Sequence, residues 1–260
     1  MAAASTTAER TQAVKDYVFS HVSNSDHWAL PFFDVHLPGW LTLHGLMLIV
    51  AALILIALFG LAFRRNDRVP RGLAGALEAI VKFVRDNISI ANLGEEDGRR
   101  MAPLFCSLFF FVLTLNLMGI VPLFATATGN LGVTTALALV TLGVMIGGAI
   151  YKNGLIGFAK AFVPAGIPIP VLIILAPIEF MGMFIKTFAL TIRLFANMLA
   201  GHIVIFVLLG LVVIFGGIAL PSVVLAIGID LLEVLIAPLQ AYIFTLLSAM
   251  FIAQIHHPEH

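Results

Sequence analysis

Residues 171–214 read VLIILAPIEFMGMFIKTFALTIRLFANMLAGHIVIFVLLGLVVI, an apolar run broken by three charged side chains, Glu179, Lys186 and Arg193. About 20 apolar residues are enough for a helix to cross a bilayer. This run exceeds that length, so its helix must tilt strongly, bend or be broken. A Gly–Gly pair and Pro221 interrupt the pattern near residues 216–221, and a second apolar stretch occupies about 222–255. The expected product is a long, tilted helix hairpin inside a membrane.

The rest of the chain agrees. Of 260 residues, 61% are hydrophobic and 11% charged, with a mean hydropathy of +1.08. A soluble domain carries about 25% charged residues. A soluble enzyme, a nucleic-acid binder and a disordered chain are thereby excluded. Lys plus Arg is 14 and Asp plus Glu is 14, so net charge points to no acidic or basic partner. The single cysteine, Cys106, cannot form an internal disulfide and reads as a small apolar filler.

Charge is concentrated in the first hundred residues. Beyond them stand only Lys152, Lys160, Lys186 and Arg193 against Glu179, Asp230, Glu233 and Glu259. Residues 1–37 are polar and mixed, without the basic start and short apolar core of a signal peptide, and are placed outside the membrane. Residues 38–260 are expected to form a single membrane domain. Residues 38–63 carry no charge and read as a first crossing. RRNDRVPR at 64–71 follows with four arginines, which puts that end in the cytoplasm and the N-terminus outside. In 73–90, Leu73, Leu77, Ile80, Val81, Val84 and Ile88 recur at helical spacing opposite Glu78, Lys82, Arg85 and Asp86, the pattern of an amphipathic surface helix. Residues 101–151 carry no charge, and Pro122 with ATATGNLG divides them into helices at about 101–122 and 133–151 joined by an external turn. Lys152 and Lys160 then fall on the cytoplasmic side, and Pro164, Pro168 and Pro170 mark an irregular connection. The fold class is all-α and polytopic: about five membrane-embedded helices (38–63, 101–122, 133–151, 171–214, 222–255) and one surface helix (73–90). The C-terminus returns to the cytoplasm, where HHPEH at 256–260 reads as a solvated end.

Charges within a bilayer cost about 2.5–3.5 kcal/mol each on insertion scales and are functional candidates by default. Glu179, Lys186 and Arg193 lie seven apart, and Asn197 is four beyond Arg193, so all four share one helix face. Glu179 and Lys186 are equally readable as a structural ion pair. Arg193 has no acid within a helical turn and cannot usefully deprotonate, so its carboxylate partner must come from elsewhere. His202, nine residues on, points to the opposite side. On the last helix Asp230, Glu233 and Gln240 suggest another polar face. A histidine near a carboxylate inside a membrane is read as a proton relay, in preference to a plain interhelical hydrogen bond. Two polar surfaces on opposite sides of a fixed cation would let protons enter from one aqueous face and leave to the other without a short circuit.

KTFALTIRLFANMLAGH (186–202), LLEVLIAPLQAYIFTLL (231–247) and LNLMGIVP (115–122) together resemble subunit a of the F-type ATP synthases, over about residues 31–255. The resemblance implies a stator beside a rotating ring of c subunits, held by peripheral-stalk b subunits within the F1Fo complex, in a bacterial inner membrane rather than a mitochondrial one. It implies that Arg193 is the essential arginine that pairs with the ring carboxylate and blocks a short circuit. Asn197 and Gln240 match polar partners near that arginine, Glu179 and Asn116 match further channel positions, and Lys186 matches an often basic position. His202 and Glu233 match the pair on the half-channel open to the outside, with the two residue types exchanged relative to the best-known bacterial member. Ala196 stands where RLFGN is more usual, and Gly119 stands where the family carries an outer-loop carboxylate.

Other readings are weaker. A self-contained channel or transporter would need a partner for Arg193 in the same chain and an internal repeat, neither of which is evident. An intramembrane protease would need HExxH or a Ser/His pairing. No phosphate-binding Gly loop is present, so the chain is expected to hold no catalytic site, cofactor or metal of its own, and its surroundings are lipid and protein, not nucleic acid.

Overall fold

The structure is a computed structural model that describes residues 9, 11, 12, 14, 27–29, 34–36, 38, 42–64, 71–121, 124–160, 162 and 168–256. Most of the 1–37 segment, Arg65, Arg68, Pro122, Pro164 and residues 257–260 of the tail lie outside the described residues, as does the side chain of Lys160.

Among the described residues, six helices of eleven residues or more carry the fold: α1 (Leu43–Ala62), α2 (Leu73–Phe83), α3 (Glu95–Ile120), α4 (Leu131–Lys160), α5 (Ile169–Phe215) and α6 (Leu220–His256). The chain is an all-α polytopic membrane protein. Among the described residues, four helical runs are long and apolar enough to cross a membrane, and the last, Pro170–His256, comprises both α5 and α6. Apolar side chains on these helices face outward, with Ile173 70% and Leu231 66% exposed, as lipid-facing surfaces require. One short non-helical element was not expected from the sequence. Strands β1 (His27–Ala29) and β2 (Asp34–His36) pair antiparallel, with His27 opposite His36.

Several helix ends depart from the sequence pattern. Helix α3 starts at Glu95, six residues before the uncharged run. Glu95, Glu96 and Asp97 fill its first turn, where the helix dipole favours acids. Helix α4 runs past residue 151 to Lys160 but is interrupted at Gly154, whose φ of 69° leaves the helical region. Helix α5 is 47 residues long with Pro177 inside it, about 70 Å at 1.5 Å per residue, so it meets the length problem as one continuous helix. Gly216 (φ 65°) and the 3₁₀ turn Gly216–Ala219 close the hairpin to α6.

The chain divides into two compact units. One comprises Met1–Ile54, Leu113–Val133 and Leu194–Gln240. Its core includes Leu115 and Met118 of α3, Leu194 and Met198 of α5, and Ala226 and Ala237 of α6. Small residues at such positions let helix backbones approach closely.

The other comprises Leu55–Val112, Thr134–Arg193 and Ala241–His260. Phe59 meets Phe110 edge-on at 5.0 Å, the Thr141 and Ser248 hydroxyls lie 3.1 Å apart, and Lys152 forms an ion pair with Asp97. His256, read from sequence as the start of a solvated tail, is buried, and its carbonyl accepts from Asn153 Nδ2 at 3.4 Å.

The amphipathic helix belongs to this second unit. Leu77, Val84 and Ile88 are buried while Lys82 and Asp86 are exposed, although Leu73 is exposed against expectation. Arg85 donates to Asp86 through Nε at 2.7 Å and Nη2 at 3.1 Å, which holds the Asp86 carboxyl below its usual range. After Phe83 the helix widens into a π-helical segment, Val84–Ile90. The extra residue per turn brings Ser89 to the buried side with Val84 and Ile88. Its hydroxyl donates to the Gly98 carbonyl at 2.6 Å. Ser89→Ala would remove this bond at a cost of about 0.5–1.5 kcal/mol. The expected result is faster amide hydrogen exchange across residues 84–98, with exchange elsewhere unchanged.

Candidate functional site

The first unit contains a histidine–carboxylate pair, its glutamate buried and its histidine half-buried. His202 of α5 and Glu233 of α6 approach at 3.5 Å between Nδ1 and Oε1, with side chains 16% and 9% exposed. This separation exceeds ordinary hydrogen-bond length. Both Glu233 oxygens are buried without a hydrogen-bond donor among the described residues. An ionisable group held that way calls for an explanation beyond packing.

The imidazole is anchored on both nitrogens. Nδ1 lies 3.2 Å from the Met198 carbonyl, one turn back on α5. Nε2 lies 2.9 Å from the Gly119 carbonyl at the end of α3 and 2.8 Å from the Thr126 hydroxyl in the loop that follows. The backbone geometry admits this only because two neighbours are glycines. A Cβ on Gly119 would run into the Met198 methyl group, and a Cβ on Gly201 would collide with the Glu233 carboxylate.

Beside the pair lies a cavity of about 310 Å³, lined by Asn116, Asn197, Gly201, Glu233 and apolar side chains that include Leu232 and Ile236. It is large enough for several waters. Asn116 is buried and donates from Nδ2 to the Ala237 carbonyl at 3.4 Å, while its Oδ1 has no partner among the described residues. Asn116, Asn197, His202 and Glu233 are therefore brought together.

The remaining sequence candidates separate. Asp230 does not share the face of Glu233: it is exposed, whereas Glu233 and Gln240 are buried. Seven residues rotate a helix by about −20°, but three rotate it by −60°, enough to carry Asp230 off the buried stripe. Gln240 is buried with Nε2 unpartnered among the described residues. The proposed Glu179–Lys186 ion pair is not formed among the described residues. Lys186 donates to Gln254 Oε1 at 2.6 Å and lies 5.6 Å from the centre of the Phe251 ring, and Glu179 is exposed. Two full turns separate Glu179 from Lys186, about 10.5 Å along the axis, which is too far for the pair to close while the lysine is held by α6. Arg193 is exposed, and no ion pair to it occurs among the described residues. Its neighbours one turn either way, Ala189 and Ala196, are exposed as well.

Thr126 was missed by sequence reasoning. Its only signal was a pair of hydroxyls in ATATG, which resembles an ordinary turn. His44, in α1, is buried.

The chain matches the family described as ATP synthase A chain over residues 45–253. It is 47% identical over 221 residues to ATP synthase subunit a of Anaeromyxobacter dehalogenans, covering 82% of this chain and 58% of that protein. It is 46% identical to ATP synthase subunit a of Myxococcus xanthus, with 85% of this chain and 76% of the relative covered. With ATP synthase subunit a of Chloroherpeton thalassium the identity is 46%, over 88% and 73% of the two chains. The chain thus spans 58% of the length of the first of these curated relatives.

Proposed function

Because the chain belongs to the ATP synthase A chain family, we propose that it is the proton-translocating stator subunit of the membrane sector of an F-type ATP synthase. Its partners in this reading are a ring of c subunits on the Arg193 face, peripheral-stalk b subunits and the rest of the complex. It is placed in a bacterial inner membrane with the N-terminus outside and the C-terminus cytoplasmic, as the four arginines of residues 64–71 favour.

The observation that carries this reading is the His202–Glu233 pair, whose buried carboxylate lines a cavity. A proton reaching His202 Nε2 forms an imidazolium. The imidazolium releases its Nδ1 proton to Glu233 Oε1, breaking one N–H bond and forming one O–H bond, and the ring is left neutral. The 3.5 Å gap closes by a small side-chain shift or through one water. Glu233 then releases the proton to water in the cavity that Asn116 and Asn197 border, and that water passes a proton on to a ring carboxylate. Gln240, Glu179 and Lys186 are assigned to the remaining polar path, and Asp230 to its margin. Arg193 holds the deprotonated ring carboxylate and separates the two half-channels. One charge crossing yields about 2.3 kcal/mol per 100 mV, so several crossings must be summed mechanically before they can support ATP synthesis.

Glu233→Gln keeps the size of the side chain but cannot carry a proton. In membrane vesicles containing the assembled complex, ATP-driven acidification is expected to fall by about a hundredfold, the lower end of what a positioned acid–base group contributes. Unchanged acidification would remove Glu233 from the path and end the relay reading.

A further inference from the structure

Thr126 is placed at the one point where both protonation states of His202 Nε2 must find a partner. Its hydroxyl lies 2.8 Å from Nε2 and 3.4 Å from the Gly119 carbonyl. That carbonyl is itself 2.9 Å from Nε2. The three groups form a closed triangle with one rotatable hydroxyl hydrogen.

We infer that Thr126 is a positioning residue for proton uptake at His202, its hydroxyl turning between two acceptors as Nε2 gains and loses its proton. The inference rests on the relay reading of His202 and Glu233. When Nε2 is bare, its lone pair would face the Gly119 carbonyl oxygen, two acceptors with no hydrogen between them. The Thr126 hydroxyl then donates to Nε2 and supplies the missing hydrogen. When Nε2 is protonated, it donates to the Gly119 carbonyl or to Thr126 Oγ1, and the Thr126 hydroxyl turns to donate to Gly119. A hydroxyl can do this because it is both donor and acceptor. The protonated state matches both hydrogens to acceptors, and in the bare state the single hydroxyl hydrogen goes to Nε2, so the ring nitrogen is never left with an unmade bond.

Among the described residues, the Nδ1 side has no equivalent rotor. It faces the Met198 carbonyl and Glu233, which both accept. The asymmetry gives the ring a direction: Nε2 is the nitrogen equipped to change its hydrogen count against the loop, and Nδ1 the one facing the carboxylate. The loop bearing Thr126 is the expected outer turn between α3 and α4, so uptake is assigned to the side of the protein that the loop faces. Gly119, which stands where the family resemblance calls for a carboxylate, takes part through its carbonyl rather than a side chain.

The test compares Thr126→Val, which keeps the shape and loses the hydroxyl, with Thr126→Ser, which keeps the hydroxyl and loses the methyl. Both are assayed for ATP-driven acidification in vesicles with the complex quantified by its subunit content, beside His202→Ala. The expected result is about a tenfold loss for Thr126→Val, the rate equivalent of one hydrogen bond. Thr126→Ser should stay within about twofold of wild type. If packing of the methyl group against Gly119 and Gly129 were the role of Thr126, serine would be the worse variant, and that order overturns the inference. Wild-type acidification in Thr126→Val with a defective His202→Ala overturns the threonine inference alone. Wild-type acidification in His202→Ala overturns the relay reading and the inference with it.

Discussion

Replacing Arg193 by alanine is expected to abolish ATP-driven proton pumping while leaving insertion and assembly intact. The two halves of that expectation have one cause. Arg193 is exposed on α5 among apolar neighbours, and no ion pair to it occurs among the described residues, so its removal leaves no buried carboxylate of its own unit unpaired. An arginine at the centre of a membrane helix costs about 2.5–3.5 kcal/mol on insertion scales, so alanine should ease insertion. What is lost is a permanent cation presented to whatever lies against that face. If the partner is a ring carboxylate, two effects follow. The carboxylate loses its counter-ion on the deprotonated leg of its circuit, and the barrier between the half-channels disappears. ATP-driven acidification should drop to background. Passive proton leak, measured after the soluble catalytic head is stripped, should be at least that of wild type. Retained pumping would mean that Arg193 is structural, and the motor reading would be abandoned.

Arg193 was legible in the sequence because a bare charge in an apolar helix is conspicuous without any structure. The helices were legible for the same reason: uncharged runs of 20 residues or more have few alternatives. Their ends were not. Helix α3 begins six residues inside the charged zone, where the acids of its first turn interact with the helix dipole, and charge density alone reads that zone as solvent-exposed loop. The amphipathic pattern of α2 predicted the buried face but not the π-helical widening, which changes the period partway along and recruits Ser89.

The site divides along similar lines. His202 and Glu233 could be paired from residue type and helix position. Asp230 was grouped with them, but it is exposed where Glu233 and Gln240 are buried, because at an interval of three positions only packing decides on which side of a helix face a residue falls. Lys186 was left between two roles by the sequence, and its bond to Gln254, 68 positions away, could not be read from local spacing. Thr126 illustrates the same limit more sharply. A threonine in a turn is unremarkable until the turn is folded against a histidine 76 positions later.

Gly201→Ala should damage proton transfer without unfolding the protein, because of what lies on the other side of the missing side chain. The first atom a new methyl group meets is Glu233 Oε1, the far end of a flexible side chain. No backbone atom from another helix obstructs it within the same distance. The carboxylate also has somewhere to go, since Glu233 borders the cavity of about 310 Å³. The inexpensive response is therefore a rotation of Glu233 away from α5. Alanine also favours a helix interior over glycine by about 1 kcal/mol, which offsets part of the local crowding. The rotation lengthens a gap to His202 that is already 3.5 Å, and proton transfer requires heavy atoms within about 2.6–3.2 Å or a single bridging water. The complex should assemble at normal levels, with ATP-driven acidification reduced by about tenfold or more. Gly182→Ala, on the same helix with open space where its Cβ would stand, serves as the control for a general effect of stiffening α5. Equal losses in the two variants would show that the helix, not the placement of Glu233, limits the rate. A loss confined to Gly201→Ala would tie the rate to the distance between one nitrogen and one oxygen.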